Sequence, residues 1–111
     1  MLYETVKIKD KEYKCRLNAK AMVDLERMLG KNPIAMFMNE NDLPKNEDMI
    51  TLFYTSLKAY QPEITIDETY DLVDEFYEDG NDLTQFIELI VKIFTSAGFI
   101  PQDKKGKKAK N

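Results

Sequence analysis

Histidine and tryptophan are missing from this sequence of 111 residues, and cysteine occurs once, at Cys15. Histidine is the commonest general base and transition-metal ligand, so its absence removes the usual forms of both chemistries. A single cysteine cannot form an intrachain disulfide, and we expect Cys15 to be a small buried hydrophobic residue rather than a reactive thiol. The four glycines are never clustered, which leaves no glycine-rich loop to hold a phosphate. We therefore expect no catalytic, metal-binding or cofactor-binding residues, and a protein that is not an enzyme.

The sequence also lacks a long hydrophobic run. Its longest apolar-rich window, residues 86–94, is interrupted by Glu88 and Lys92 and is far shorter than the roughly 20 residues that a membrane span requires. The first thirteen residues are charged throughout, unlike a signal peptide. We expect a soluble, cytoplasmic protein without membrane contact.

What the sequence does contain is enough apolar material for one domain. Hydrophobic residues make up 43%, including six Phe and six Tyr, so a core can form within a chain of this length. The net charge is −4, from 20 acidic and 16 basic residues, and five of the lysines lie within residues 104–111. This tail has no arginine or aromatic residue, so nucleic acid is not an expected partner. We predict a single globular domain over residues 1–100 and a disordered, flexible basic tail over 101–111.

Hydropathy patterns predict a mainly α fold. Residues 2–17 alternate with period two about a turn near Lys9 to Glu12, which predicts an N-terminal β-hairpin with Val6, Ile8, Tyr13 and Cys15 on one face. The period then becomes helical, with caps at Asn18, Asn32, Thr65 and Asp82. Predicted helices span about 19–29, 33–38, 47–60, 66–79 and 83–97, forming a compact bundle of four to five helices. We assign Tyr70 and Tyr77 to the buried side of the fourth. The fifth runs through the apolar residues Leu83, Phe86, Ile87, Ile90, Val91 and Phe94.

Seven carboxylates crowd residues 67–79. A cation site is one interpretation, but helical spacing places Asp67, Asp71, Asp74 and Glu78 in one stripe, as a solvated face requires. The methionines have two interpretations as well. They could form an adaptable binding surface, or they could fill the core of a small bundle, which is the commoner case.

The order of these elements resembles the tail assembly chaperones of long-tailed phages and prophages of low-GC Gram-positive bacteria. The resemblance covers residues from about Tyr3 to Phe99. Its most telling positions are residues 25–26, 29–33 (LGKNP), 57–60, 79–80 and 96–99 (SAGF).

The resemblance implies a non-enzymatic helper that binds the long tape-measure protein and recruits tail-tube subunits onto it. It implies action in the cytoplasm of the bacterial host and absence from the mature virion, and self-association is a further expectation. Such a protein needs an exposed apolar patch for its partner's helices. The candidate residues are those whose apolar stripe is wider than a one-sided core requires: Met36, Phe37, Met38, Phe53, Tyr54 and Tyr60.

Two other functions stay open at this point. One is a different phage structural adaptor, such as a head-to-tail connector component. The other is a small DNA-binding regulator, which the acidic helices disfavour because a recognition helix is usually basic. A neighbouring gene for a very long, coiled-coil-rich tape-measure protein favours the chaperone.

Overall fold

An antiparallel β-hairpin followed by helices makes up the fold, as the sequence predicts. A computed structural model describes residues 3–37 and 43–98. Met38 and the tail at 101–111 lie outside the described residues. The elements in chain order are β1 (Glu4–Ile8), β2 (Lys11–Cys15), α1 (Ala19–Leu29), a 3-10 helix (Pro33–Phe37), α2 (Asn46–Leu57), α3 (Ile66–Glu78) and α4 (Leu83–Ser96).

The hairpin turns over two residues, Lys9 and Asp10. Both have positive φ, 51° and 67°, and Ile8 pairs with Lys11. Two successive positive φ angles give a turn whose twist matches that of the strands. Because neither residue is glycine, this turn is strained, and it is held from outside: the Lys9 amide donates to Asp79 Oδ2 at 2.7 Å. Lys9 Nζ also lies 3.4 Å from Glu78 Oε1. The hairpin tip is therefore fixed to the end of α3.

Every predicted side-chain cap is present. Asn18 Oδ1 accepts from the Ala21 amide at 2.9 Å, and Asn32 Oδ1 accepts from the Ile34 amide at the start of the 3-10 helix. Thr65 and Asp82 each form a complete capping box with the residue three positions later. These bonds satisfy amides that a helix start leaves without partners.

The helix ends differ slightly from the prediction. α2 ends at Leu57, not at residue 60, because the chain turns over residues 58–60 and the amides of Tyr60 and Gln61 both donate to the Leu57 carbonyl. Pro62 disfavours helical geometry in the residue before it. α3 and α4 each end one residue earlier than predicted. α1 has the predicted bounds and ends at Gly30 in the left-handed conformation, with φ 73°.

α2 is the central element, since it packs against α1, α3, α4 and β2. Half of its residues are buried, including Thr55 and Ser56. Their hydroxyls donate to backbone carbonyls within the helix, at 2.8 and 2.7 Å, so these polar groups are buried without losing a partner. The Ser56 carbonyl accepts from the Arg16 amide at 2.9 Å, which joins the hairpin to the bundle.

Tyr70 corrects a predicted burial, and two apolar residues of α4 are exposed as well. Tyr70 is 46% exposed, and Leu83 and Val91 are also exposed. The buried stripe of α3 consists of residues 69, 72, 73 and 76, which places Tyr70 about 100° away from its centre. Val91 similarly follows the buried Ile90, and Leu83 is the first residue of α4. Among the described residues, no helix has the length and apolar character needed to cross a membrane.

Candidate partner-binding groove

Two of the predicted surface residues belong to the core. Met36 is 5% exposed and Phe53 is 1% exposed. The ring of Phe53 packs edge-on against that of Phe86, with centroids 6.0 Å apart. The expectation that Met36 and Phe53 are exposed is wrong. Met36 is buried in the 3-10 helix, and Phe53 is buried because α2 packs against α3, α4 and the hairpin as well as α1.

The other candidates do not form one patch. Phe37 is half-buried, with its ring 5.5 Å from the buried ring of Phe94. Met38 lies outside the described residues. Tyr60 is 39% exposed and contacts Tyr3 edge-on at 5.9 Å, at the hairpin end of the molecule. Lys14 Nζ lies above both of these tyrosine rings. Phe37 thus supports the core, and Tyr60 belongs to a separate aromatic contact.

Tyr54 lines an open groove between α1 and α2, which we call the α1–α2 groove. Its volume is about 440 Å³, and its walls are mainly apolar. Met28 of α1 is the most exposed apolar residue beside it, at 52%. The full lining is Asn18, Lys20, Ala21, Asp24, Arg27, Met28, Tyr54, Thr55, Lys58 and Ala59.

The two helices that form this groove are antiparallel and joined at one end. Lys31 Nζ, just after α1, lies 2.8 Å from Asp48 Oδ2 in the first turn of α2. Farther along, Thr55 Oγ1 lies 3.8 Å from Met28 Sδ. Near the other end, Ala21 and Ala59 both line the groove. Small side chains there leave room between the helices, and the flexible thioether of Met28 can repack around an occupant.

The charge around the α1–α2 groove differs from that of the rest of the protein. The described residues include 17 acidic and 11 basic side chains, whereas the groove carries three basic residues and one acidic residue. Lys20 Nζ is 3.5 Å from Asp24 Oδ2. Lys58 Nζ lies 5.3 Å from the centroid of the Tyr54 ring. Arg27 is exposed and forms no ion pair within residues 3–37 and 43–98.

Two other depressions are less suited to a partner. One of about 470 Å³ lies beside Tyr13, but Glu63 and Glu68 edge it with the same negative charge as the surrounding surface. Another, of about 320 Å³, lies between α1 and the 3-10 helix beside the exposed Val23. Neither combines an exposed apolar side chain with a charge opposite to that of the body.

The Cys15 thiol is free and buried. Burial raises the pKa of the Cys15 thiol to about 12, although a hydrogen bond with Ser56 lowers it. The thiol is therefore protonated at neutral pH and is not a nucleophile, which agrees with its prediction as a buried hydrophobic residue. The acidic stripe of α3 is exposed, as predicted for a solvated face. Within the described part of the chain, no cluster of three or more potential ligands could hold a metal ion.

Sequence reasoning missed most of the groove. Helical spacing places Ala21 on the apolar stripe of α1 and Lys20 and Arg27 opposite it, but it does not show which helix lies beside them. The groove exists because α1 lies against α2, and helix pairing is not encoded in the hydropathy of either helix alone. The one available signal was Met28, since a methionine at the edge of an apolar stripe suits an adaptable surface.

Comparison with known proteins gives a family and no activity. No curated protein and no solved structure matches the chain. The family model of DUF6096, described as a family of unknown function, matches residues 2–111. Because this match spans nearly the whole sequence, the chain belongs to the DUF6096 family.

Proposed function

We propose that this protein is a tail assembly chaperone of a long-tailed phage or prophage. It binds the tape-measure protein and helps to recruit tail-tube subunits during tail morphogenesis, in the cytoplasm of the bacterial host. It is a binding protein and not an enzyme, and it is absent from the mature virion. The resemblance over residues 3–99 suggests this function, and the open α1–α2 groove is the structural observation that supports it best.

The α1–α2 groove suits the physical task of such a chaperone. The resemblance implies a partner that is long, rich in coiled coil and otherwise insoluble, so its helices have apolar faces that need cover. Grooves between two helices commonly bind the apolar face of a third helix. Here Tyr54 and Met28 offer apolar surface, and the Lys31–Asp48 ion pair together with the buried side of α2 keeps the groove in shape.

Co-expression tests the proposal. A tape-measure protein, which the proposal places among the neighbouring genes, is produced alone, with the wild-type chain, with Tyr54→Glu and with the matched control Tyr70→Glu. Tyr70 is exposed on α3, away from the groove. At position 54, a glutamate can pair with Lys58 four residues later, so α2 should remain folded.

We expect the wild-type chain and Tyr70→Glu to keep the tape-measure protein soluble and to co-purify with it. Tyr54→Glu should do neither, while its far-ultraviolet circular dichroism is unchanged. A tape-measure protein whose solubility does not depend on the wild-type chain would refute the chaperone function. If Tyr54→Glu keeps the tape-measure protein soluble as well as the wild type does, the binding site lies outside the groove.

A further inference from the structure

The charge at the α1–α2 groove identifies the kind of helix that it can bind. Lys20, Arg27 and Lys58 line it, and only Asp24 opposes them. The rest of the described surface has an acidic excess, so a basic helix would find more favourable sites elsewhere on the molecule. A helix with carboxylates on its flanks would be repelled by those sites and attracted here.

The shape of the groove sets the second requirement. Ala21 and Ala59 leave space between the helices, and Met28 and Tyr54 flank it. This arrangement accepts a large apolar side chain of an occupant, which Met28 can cover by changing its rotamer. The side chain of Ala59 is too small to fill this space, so the space is open to a side chain of the bound helix.

The length of the groove fits a helix. Its α1 wall extends from Asn18 to Met28, which at 1.5 Å per residue is about 15 Å. The opposite wall, from Tyr54 to Ala59, is about half as long. The groove can therefore enclose one anchor residue of a bound helix, while α1 offers about three turns of contact along it. The second wall consists of the last turn of α2 and the turn after it. No strand residue lines the groove, so it offers no strand edge to pair with an extended peptide.

We propose that the α1–α2 groove binds an acidic amphipathic helix, with a large apolar anchor between Ala21 and Ala59 and carboxylates facing Arg27 and Lys58. This inference rests on the proposed function for the source of the helix, a segment of the tape-measure protein. It adds the chemistry by which such a segment is selected.

A designed peptide can test this selection without the tape-measure protein. The probe is a helical peptide of about 16 residues, near the shortest length that is helical in water, with one Trp as its anchor, Leu four residues to either side and Glu on the flanks. Because the chain contains no tryptophan, the emission of the peptide reports burial of the anchor directly. A second peptide has Lys in place of every Glu.

The protein is used as the full chain, as wild type and as the double variant Arg27→Glu, Lys58→Glu. The matched control is Lys7→Glu, Lys92→Glu, which changes the net charge equally at exposed positions elsewhere. We expect a blue-shifted Trp emission on binding of the acidic peptide to the wild type and the control. The double variant should bind this peptide at least about tenfold more weakly and should bind the Lys peptide instead, and both effects should diminish in high salt.

Several outcomes would overturn the inference. Equal affinity of the wild type for both peptides would show that charge does not select the helix. Binding without a blue shift would show that the Trp anchor is not buried in the groove. If the double substitution turns an oligomer of the free protein into a monomer, the occupant is a second copy of the chain and not a partner helix. The proposed function would survive if the chaperone assay succeeds while the acidic peptide fails to bind; it would fall if the assay itself fails.

Discussion

Met28 and Met36 should respond very differently to the same truncation. Both lose the same atoms when replaced by alanine, but Met36 is 5% exposed in the core and Met28 is 52% exposed at the α1–α2 groove. Removing a buried methionine side chain costs about 2–5 kcal/mol, since the transfer energy and the cavity both count. For Met28→Ala, about half of the apolar area was never withdrawn from water, and alanine favours the helix slightly. We expect a loss of about 3 kcal/mol for Met36→Ala and about 1 kcal/mol or less for Met28→Ala.

Urea unfolding followed by circular dichroism measures both values, because a single domain of this size should unfold in one step. The slope of the free energy against urea should be the same in both variants, and only the midpoint should move. The same two proteins are then assayed for retention of the tape-measure protein. Met28→Ala should weaken retention despite its nearly native stability. Equal losses of stability in the two variants would refute the division into core and surface methionines.

Three further predictions concern the fold. Thr65→Ala removes the hydroxyl that accepts from the Glu68 amide at 3.1 Å and should lower the free energy of unfolding by about 1 kcal/mol in urea titrations; no loss would contradict the capping role. Asp79→Ala removes the acceptor of the Lys9 amide. Because Asp79 is exposed, the free energy of unfolding should fall by only about 1 kcal/mol. The control Asp71→Ala, at an exposed position of α3, should change it by less than about 0.5 kcal/mol. Raising the pH from 9 towards 12 should destabilise the wild type, because the pKa of Cys15 is raised from 9.0 to about 12 in the folded protein and the unfolded thiol loses its proton first. The wild-type curve should fall up to about 1.4 kcal/mol per pH unit more steeply than that of Cys15→Ala, and parallel curves would contradict the burial of the thiol.

Local features of this fold were readable from the sequence because they depend on neighbouring residues. The capping boxes at Thr65 and Asp82 need only a polar side chain and an amide three residues later. The left-handed glycine at position 30 ends α1 for an equally local reason. The sequence predicts where the hairpin turns, near Lys9 and Asp10, but not the type of turn. The contact that holds this turn comes from Asp79, 70 residues away.

The candidate site was less accessible to sequence reasoning. Phe53 and Tyr54 are adjacent, yet one is in the core and the other lines the groove, because α2 is covered on several sides. An apolar stripe that is wide can indicate an exposed patch or a helix with several neighbours, and only the arrangement of α1, α3 and α4 distinguishes the two. The basic character of the groove likewise arises from charges on two helices whose pairing the hydropathy pattern does not specify.

Methyl NMR of methionine-labelled protein tests the central claim most directly. Met28 is at the groove, while Met22, Met36 and Met49 are buried and serve as internal controls. The protein, labelled at the methionine methyl carbons, is titrated with soluble segments of the tape-measure protein. If the α1–α2 groove binds its partner, the Met28 signal shifts or broadens with the bound fraction and the three core signals move little. Saturated binding that leaves the Met28 signal unchanged would contradict the assignment of this groove as the partner-binding site.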